Sequence, residues 1–468
     1  MHVNEWIEQN KVAVNTRYKP KYHFSAPIGW INDPNGFVYF KGEYHLFYQY
    51  HPYSSKWGPM HWGHAKTKDL IHWEHLPVAL TPDQPYDKDG CFSGTALVVD
   101  DTLLLMYTGH RDIDGQIKQV QCLAKSTDGI HFEKFKTNPV IDERHVNNTS
   151  DFRDPKLFKR GNTYYSLVAS TTNHVGNVLL FQSPDLENWT FTSVFLAAEK
   201  NQGTIWECPD LFTIGDKDIL IVSPIGYAPD EFRFTNVNSS VWFIGKVDWQ
   251  TGKFLPESVE EIDGGLDFYA AQTLIDDKNR RIMIAWQQMW GRNIPTDDLG
   301  HGWAGSMIIP KELSYDTGVI KQDYLSEFYD QFVLSEEKAC HIYFETEIVP
   351  LLSVEFEGDF TINIGTEDAY IQVSYRDHLL TFDRSKAGYP IKAAEDEASV
   401  RQCRLVYDKI KVSLVVDVST IELLINNEYV FSNTMYPKAD NGKIEVHSEK
   451  FKVSSFQDKN ELDKEMIM

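Results

Sequence analysis

Trp30-Ile31-Asn32-Asp33-Pro34-Asn35-Gly36 sets an acid between an amide and a proline. Proline disfavours the helical conformation for the residue before it, so Asp33 is expected to be extended, with its carboxylate held in one direction. Phe152-Arg153-Asp154-Pro155 repeats the arrangement, and in Trp206-Glu207-Cys208-Pro209-Asp210 the proline follows the acid by one further residue. Taken singly, each is ordinary turn chemistry. Their spacing is what makes them a pattern.

Downstream of Asp33, an apolar run over Gly36 to Phe40, a turn at Lys41-Gly42 and a second run over Tyr44 to Tyr48 predict a hairpin. The unit recurs with turns at Asp100-Asp101, around Gly161, at Gly215-Asp216 and at Asp276-Asp277. The residues that open the five units, Asp33, Ser93, Asp154, Glu207 and Asp267, are 60, 61, 53 and 60 residues apart. A second marker keeps the same period. Thr67-Lys68-Asp69, Ser126-Thr127-Asp128 and Ser183-Pro184-Asp185 each precede an aromatic four residues beyond the aspartate, and those aspartates are 59 and 57 residues apart. A module of about sixty residues without helical periodicity fits a four-stranded blade. The expected fold is therefore all-β, a five-bladed β-propeller over residues 1–325 followed by a C-terminal β-sandwich with its linker over residues 326–468. In the second part, alternation at Phe360, Ile362 and Ile364, apolar runs at Leu414 to Val418 and Ile421 to Ile425, and a turn at Asn426-Asn427 carry the sandwich reading. In a propeller the starts of the inner strands face a common axis, so three acids remote in sequence are expected to converge there.

The bulk composition narrows the partners. With 468 residues two domains are expected. A formal net charge of -23 opposes general affinity for nucleic acid or anionic membrane, leaving small neutral molecules. Cys91, Cys122, Cys208, Cys340 and Cys403 are few, odd in number and unclustered, and are read as buried thiols in a reducing compartment. The first twenty residues lack the apolar run of a signal peptide, so the expected location is cytoplasmic. Asn148-Thr149-Ser150 and Asn188-Trp189-Thr190 match glycosylation sequons and are taken as chance. No cofactor is called for. His61, His64, His72 and His75 fall in strand and loop text and are not read as a metal site. The oligomeric state is not legible.

Two carboxyl groups flanking a glycosidic bond, one protonated and one ionised, can cut it with retention or with inversion according to their separation. Glu207, beside Trp206 and Cys208 and facing two other acids, is expected to hold a proton through desolvation and like charge. Asn32 and Asn35 are expected to keep Asp33 ionised as a nucleophile, and Arg153 to favour the anionic form of Asp154.

These segments resemble the three signature motifs of the β-fructofuranosidases of glycoside hydrolase family 32, the group of invertases and sucrose-6-phosphate hydrolases. The resemblance extends to Phe47-Tyr48-Gln49-Tyr50, Trp57-Gly58-Pro59-Met60, Cys91-Phe92-Ser93-Gly94 and Asp267-Phe268-Tyr269, and to Asp417, Ser419, Glu422 and Asn426 in the second domain. It implies that Asp33 is the nucleophile, Glu207 the acid/base and Asp154 the stabiliser of the transition state, in a retaining enzyme without a metal. It also implies a fructosyl pocket lined by Asn32, Gln49, Trp57, Phe92, Ser93, Arg153 and Tyr269. Trp290 and Arg292 are placed towards the leaving group or in the framework. Two departures stand out. Lys311 replaces the arginine usual in relatives, and Trp286 to Arg292 differs from the form associated with bacterial sucrose-6-phosphate hydrolases. The expected substrates are sucrose, its phosphate or short fructo-oligosaccharides. The alternatives left open are a fructosyltransferase, a non-catalytic sugar-binding propeller and a calcium-bearing propeller glycosidase acting on arabinans.

Overall fold

The computed structural model describes residues 2–142, 151–335, 341–345, 350–393 and 399–459. Cys340 and the Asn148 sequon lie outside the described residues. After an N-terminal helix, α1 (Val3–Asn10), the chain lays down five antiparallel sheets in order. The first holds β1 (Gly29–Phe40), β2 (Glu43–His51), β3 (His61–Thr67) and β4 (Glu74–Leu80). The second holds β5 (Gly90–Val99), β6 (Thr102–Ile113), β7 (Gln116–Ser126) and β8 (Glu133–Lys134). The third holds β9 (Phe152–Arg160), β10 (Thr163–Thr172), β11 (Val175–Ser183) and β12 (Thr190–Ala197). The fourth holds β13 (Gln202–Ile214), β14 (Lys217–Tyr227), β15 (Val241–Asp248) and β16 (Lys253–Glu261). The fifth is built from β17 (Tyr269–Ile275) and β18 (Arg281–Trp286), then, past a short strand β19 (Trp303–Ala304), β20 (Lys311–Asp316) and β21 (Val319–Tyr324). β19 itself runs parallel to β1 as a fifth strand of the first sheet, pairing Gly29 with Trp303 and Trp30 with Ala304.

The hairpins follow from their turns. Lys41 and Gly42 both have positive φ, 51° and 85°, as a two-residue hairpin turn demands. Asp100, Gly161 and Gly215 take the left-handed conformation in the next three hairpins. The second sequence marker is the connection from third to fourth strand in the first three sheets. The backbone N–H of Leu70, Gly129 and Leu186 donates to Thr67, Ser126 and Ser183 respectively, while Asp69, Asp128 and Asp185 each accept from two further backbone N–H groups.

Packing explains why the central strands read as unbroken apolar runs. Along β6, Leu103 and Leu105 join a core with Phe47 and Trp62 of the first sheet, whereas Leu104 and Met106 join Leu157 and Val168 of the third. Along β10, Val168 faces the second sheet and Leu167 faces Leu220 and Val222 of the fourth. Alternate side chains thus bury both faces of a sheet between neighbours. One core unites the fourth, fifth and first sheets, and β1 contacts both β5 and β17.

The remainder of the chain forms two six-stranded sheets. One orders β22 (Phe332–Ser335), β33 (Phe451–Asp458), β24 (Leu351–Phe356), β29 (Ile410–Asp417), β30 (Thr420–Ile425) and β31 (Tyr429–Thr434). The other orders β23 (His341–Glu345), β32 (Asn441–Ser448), β25 (Phe360–Gly365), β26 (Tyr370–Arg376), β27 (Leu379–Asp383) and β28 (Val400–Arg404). Their inner faces share one core, with Leu352, Val354 and Val412 from the first and Ile362, Val373 and Phe382 from the second. The predicted turn at Asn426-Asn427 is present, with φ of 52° and 59°.

Buried charges join the two halves. Asp417 accepts from the backbone N–H of Lys21, Tyr22 and His23 at 2.8, 2.8 and 3.0 Å. The His23 ring bridges Asp417 and Glu422 at 2.8 and 3.1 Å, and Lys311 pairs with Glu422 at 2.7 Å with both side chains fully buried. Asp267 belongs to the same junction and not to the axis: its carboxylate meets Arg292, Arg384 and the Thr434 N–H. That corrects the expectation that all five opening residues point inward. Of the cysteines, Cys91, Cys122 and Cys208 are buried, whereas Cys403 is half-buried, contrary to expectation, because it lies on the outermost strand β28. Among the described residues no helix is long and apolar enough to cross a membrane.

Candidate active site

Every first strand carries a β-bulge near its start. The pairing slips between Ile31 and Pro34, Phe92 and Gly94, Arg153 and Lys156, Glu207 and Asp210, and Tyr269 and Gln272. A bulge inserts an unpaired residue and re-aims side chains. Asp154, Cys208 and Ala270, inside three of these bulges, have φ of 63°, 50° and 58°. Asp154 is therefore left-handed where Pro155 had led us to expect an extended residue. In register Glu207 matches Arg153 and Tyr269, immediately before the bulge, while Asp154 matches Cys208. The 53-residue interval had joined unlike positions.

The bulges bring the three acids together. Ser93 Oγ donates to Asp33 Oδ2 at 2.6 Å and Asn32 Nδ2 to Asp33 Oδ1 at 3.1 Å. The Cys208 thiol stands between two carboxylates, 3.4 Å from Asp33 Oδ2 and 3.6 Å from Asp154 Oδ2, and its own N–H donates to Asp154 Oδ2 at 3.0 Å. Glu207 takes Arg153 Nη2 and Nε on Oε1 at 2.9 and 3.1 Å, and the Tyr269 hydroxyl on Oε2 at 2.5 Å. Burial pushes Asp33 above its ordinary value, against the pull of Ser93 and with that of the Glu207 charge. Burial likewise pushes Asp154 up to about 7, with Arg153 opposing and the Glu207 and Asp33 charges adding. Burial keeps the Cys208 thiol and the Tyr269 phenol protonated, so both are donors here.

The other expected residues fall around this cluster with different duties. The Gln49 amide nitrogen donates to Asn35 Oδ1 at 2.8 Å and to the Cys91 carbonyl at 3.0 Å. Asn35 thus steadies Gln49, and its own amide nitrogen donates to the Pro34 carbonyl and not to Asp33, contrary to expectation. Phe92 stacks on His110 at 4.0 Å, and Trp57, 49% exposed, stands edge-on to Phe92 at 6.1 Å. Trp290 stacks on Trp30 at 6.0 Å, and the Trp30 indole donates to Asn32 Oδ1 at 2.8 Å. Arg292 is buried at the junction, bonded to the Leu266 carbonyl, Asp267 and Asn236, so it serves the framework. Among the four histidines set aside above, His64 meets the His45 ring and His72 meets Asp69.

Four contributors were missed in the sequence. Cys208 had been read only as a buried thiol, although its place between Glu207 and Pro209 was a usable sign. Asp151 and Gln119 hold the far side of Arg153, and Thr108 Oγ1 accepts from the Asp154 N–H at 2.9 Å. No sequence signal pointed to Gln119 or Thr108, which come from the second sheet.

Two family models match the chain. "Glycosyl hydrolases family 32 N-terminal domain" covers residues 23–325 and "Glycosyl hydrolases family 32 C terminal" covers residues 317–460. The chain belongs to glycoside hydrolase family 32. It is 35% identical over 468 residues to a sucrose-6-phosphate hydrolase of Bacillus subtilis, covering 94% of each chain, and 34% identical over 464 residues to a raffinose invertase of Escherichia coli, covering 93% and 92%. Among solved structures it resembles a family 32 β-fructofuranosidase of Bombyx mori, at 35% identity and a TM-score of 0.88, covering 97% of each chain. Family 32 membership makes the chain a glycoside hydrolase, and the mostly β architecture agrees with that relationship.

Proposed function

We propose that the chain is a retaining β-fructofuranosidase that hydrolyses sucrose, sucrose 6-phosphate or short fructo-oligosaccharides. The observation that carries this reading is the meeting of Asp33, Asp154 and Glu207, from three different sheets, around the Cys208 thiol and the Arg153 guanidinium. The names of the family 32 relatives given above support the fructoside substrate. The five sheets are read as blades of a five-bladed β-propeller over residues 1–325, and the two larger sheets as a β-sandwich over residues 326–468. The cyclic contacts of the first strands and the shared cores between neighbours support that closure.

In the reaction, an Asp33 oxygen attacks the anomeric carbon of the fructosyl unit as its bond to the leaving-group oxygen breaks, and Glu207 delivers its proton to that oxygen. Glu207, now ionised, takes a proton from water, whose oxygen displaces Asp33 and regenerates the resting carboxylate. Ser93 and Asn32 hold Asp33 for the attack. Asp154 and Arg153 bind fructosyl hydroxyls, with Asp154 acting most strongly as positive charge develops. Gln49, with its nitrogen committed within the protein, offers its oxygen to a sugar hydroxyl. Trp57 and Phe92 wall the pocket, and Trp290 faces the leaving group. The test is turnover on sucrose, 6-phosphosucrose, kestose and inulin for the wild type, Asp33→Ala and Glu207→Gln. Each substitution is expected to lower turnover by about three orders of magnitude or more with the circular dichroism spectrum unchanged. Near-wild-type hydrolysis by either variant would refute the assignment.

A further inference from the structure

Arg153 is gripped from both sides. Two of its N–H groups go to Glu207 Oε1, while Nη1 donates to Asp151 Oδ1 at 2.6 Å and to Gln119 Oε1 at 3.4 Å. Gln119 is itself fixed, since the same oxygen accepts the Phe152 N–H at 2.9 Å. The first grip poses a chemical problem: a cation against a carboxyl group favours the ionised form, yet a proton donor must hold its proton. The charged and titratable groups facing Glu207 are Asp33 from β1, Arg153 and Asp154 from β9, Cys208 from its own strand and Tyr269 from β17. Among these, Arg153 supplies the positive charge. Asp151 is a second carboxylate on the same guanidinium, two residues before Arg153, at the shortest distance that guanidinium makes to any described partner.

We propose that Asp151 is a positioning residue for the hydrolysis: it shares the charge of Arg153 and draws the guanidinium back from Glu207, so that the arginine opposes the proton Glu207 must hold for the glycosidic oxygen less than it would alone. The inference rests on the reading of Glu207 as the acid. Gln119 adds orientation without charge. The Asp151 side chain is 26% exposed, so water weakens its effect. At the effective dielectric of such a site, one charge near the far edge of a guanidinium moves a proton equilibrium by about half a pH unit to one unit.

The experiment is the pH dependence of kcat/KM on sucrose, from pH 4 to 9, for the wild type, Asp151→Asn, Asp151→Glu and Gln119→Ala, with thermal midpoints to verify folding. The alkaline limb of Asp151→Asn is expected to move to lower pH by about half a unit to one unit, and that of Asp151→Glu, which keeps the charge, to return towards the wild-type position. Gln119→Ala is expected to lower kcat about two- to tenfold while its alkaline limb stays in place. A fall in turnover that is uniform with pH in Asp151→Asn would overturn the proposal, since that is what a purely structural role gives. So would an equal displacement of the limb in Gln119→Ala. Failure of the underlying reading looks different, as a wild type without fructoside hydrolysis or an active Glu207→Gln.

Discussion

Asp154 shows what the site costs the fold. Its carboxyl group is buried and its charged form is disfavoured up to about pH 7, whereas an unfolded chain ionises it near pH 4. With the folded value raised, the penalty is absent in acid and fully present above pH 7, so stability falls across that window. Asp154→Asn is therefore expected to raise the thermal midpoint by about 1 to 4 °C at pH 8 and to leave it unchanged at pH 4, while turnover drops; scanning calorimetry at both pH values checks it. The same substitution should lower turnover more than it weakens fructose binding, which titration calorimetry measures directly. Arg153 illustrates what sequence alone hides. It stands next to Asp154 in the chain, and its charge does bear on Asp154, but of the three acids it hydrogen-bonds Glu207, 54 residues further on. Neighbours on a strand point to different sides, and which acid an arginine bonds is decided by what the adjoining sheet presents.

The bulged first strand is the element that turns a repeat into a site. Each bulge holds a residue outside the ladder, and Ala270 occupies the left-handed region there, at a cost of about 1 kcal/mol for a residue with a Cβ. Ala271, its equally buried neighbour, has no such φ. Ala270→Gly is thus expected to cost about 1 kcal/mol less than Ala271→Gly in urea denaturation, because glycine relieves the strain at one position and merely loosens the strand at the other. The hairpins, their turns and the third-to-fourth-strand marker could all be read from the sequence, since Lys41-Gly42, Asn426-Asn427 and the Ser/Thr-x-Asp motifs act through local backbone chemistry. The bulges could not. They depend on the pairing register with β2, β6, β10, β14 and β18, and so the phase of Glu207 came out one residue away from that of Asp154, and Asp267 was taken for the residue that opens the fifth unit when Tyr269 is the one that meets Glu207.

For the whole molecule, the junction between the two halves is a set of buried opposite charges. Burial acts against protonation of His23, but its bonds to Asp417 and Glu422 prevail and raise it above the ordinary histidine value. Its contribution is then complete below about pH 6.5 and is lost as pH rises through the raised value. His23→Gln, which leaves two carboxylates short of a cation, is expected to destabilise by about 3 to 5 kcal/mol at pH 6, with the gap to wild type narrowing by pH 9; urea titrations at the two pH values test it. Asp417, Glu422 and Lys311 stood out in the sequence singly, but their meeting with His23 did not, because the members of this junction lie up to some four hundred residues apart. The parallel pairing of β19 with β1 bears on how the enzyme is made. While a ribosome is still extending the chain towards Trp303, the Gly29-Trp30 edge has no partner to zip against, and the tryptophan that orients Asn32 is unsecured. A nascent chain can stack four sheets as they emerge, yet the support of Asn32 is completed late, when a two-residue clasp reaches back to the first strand.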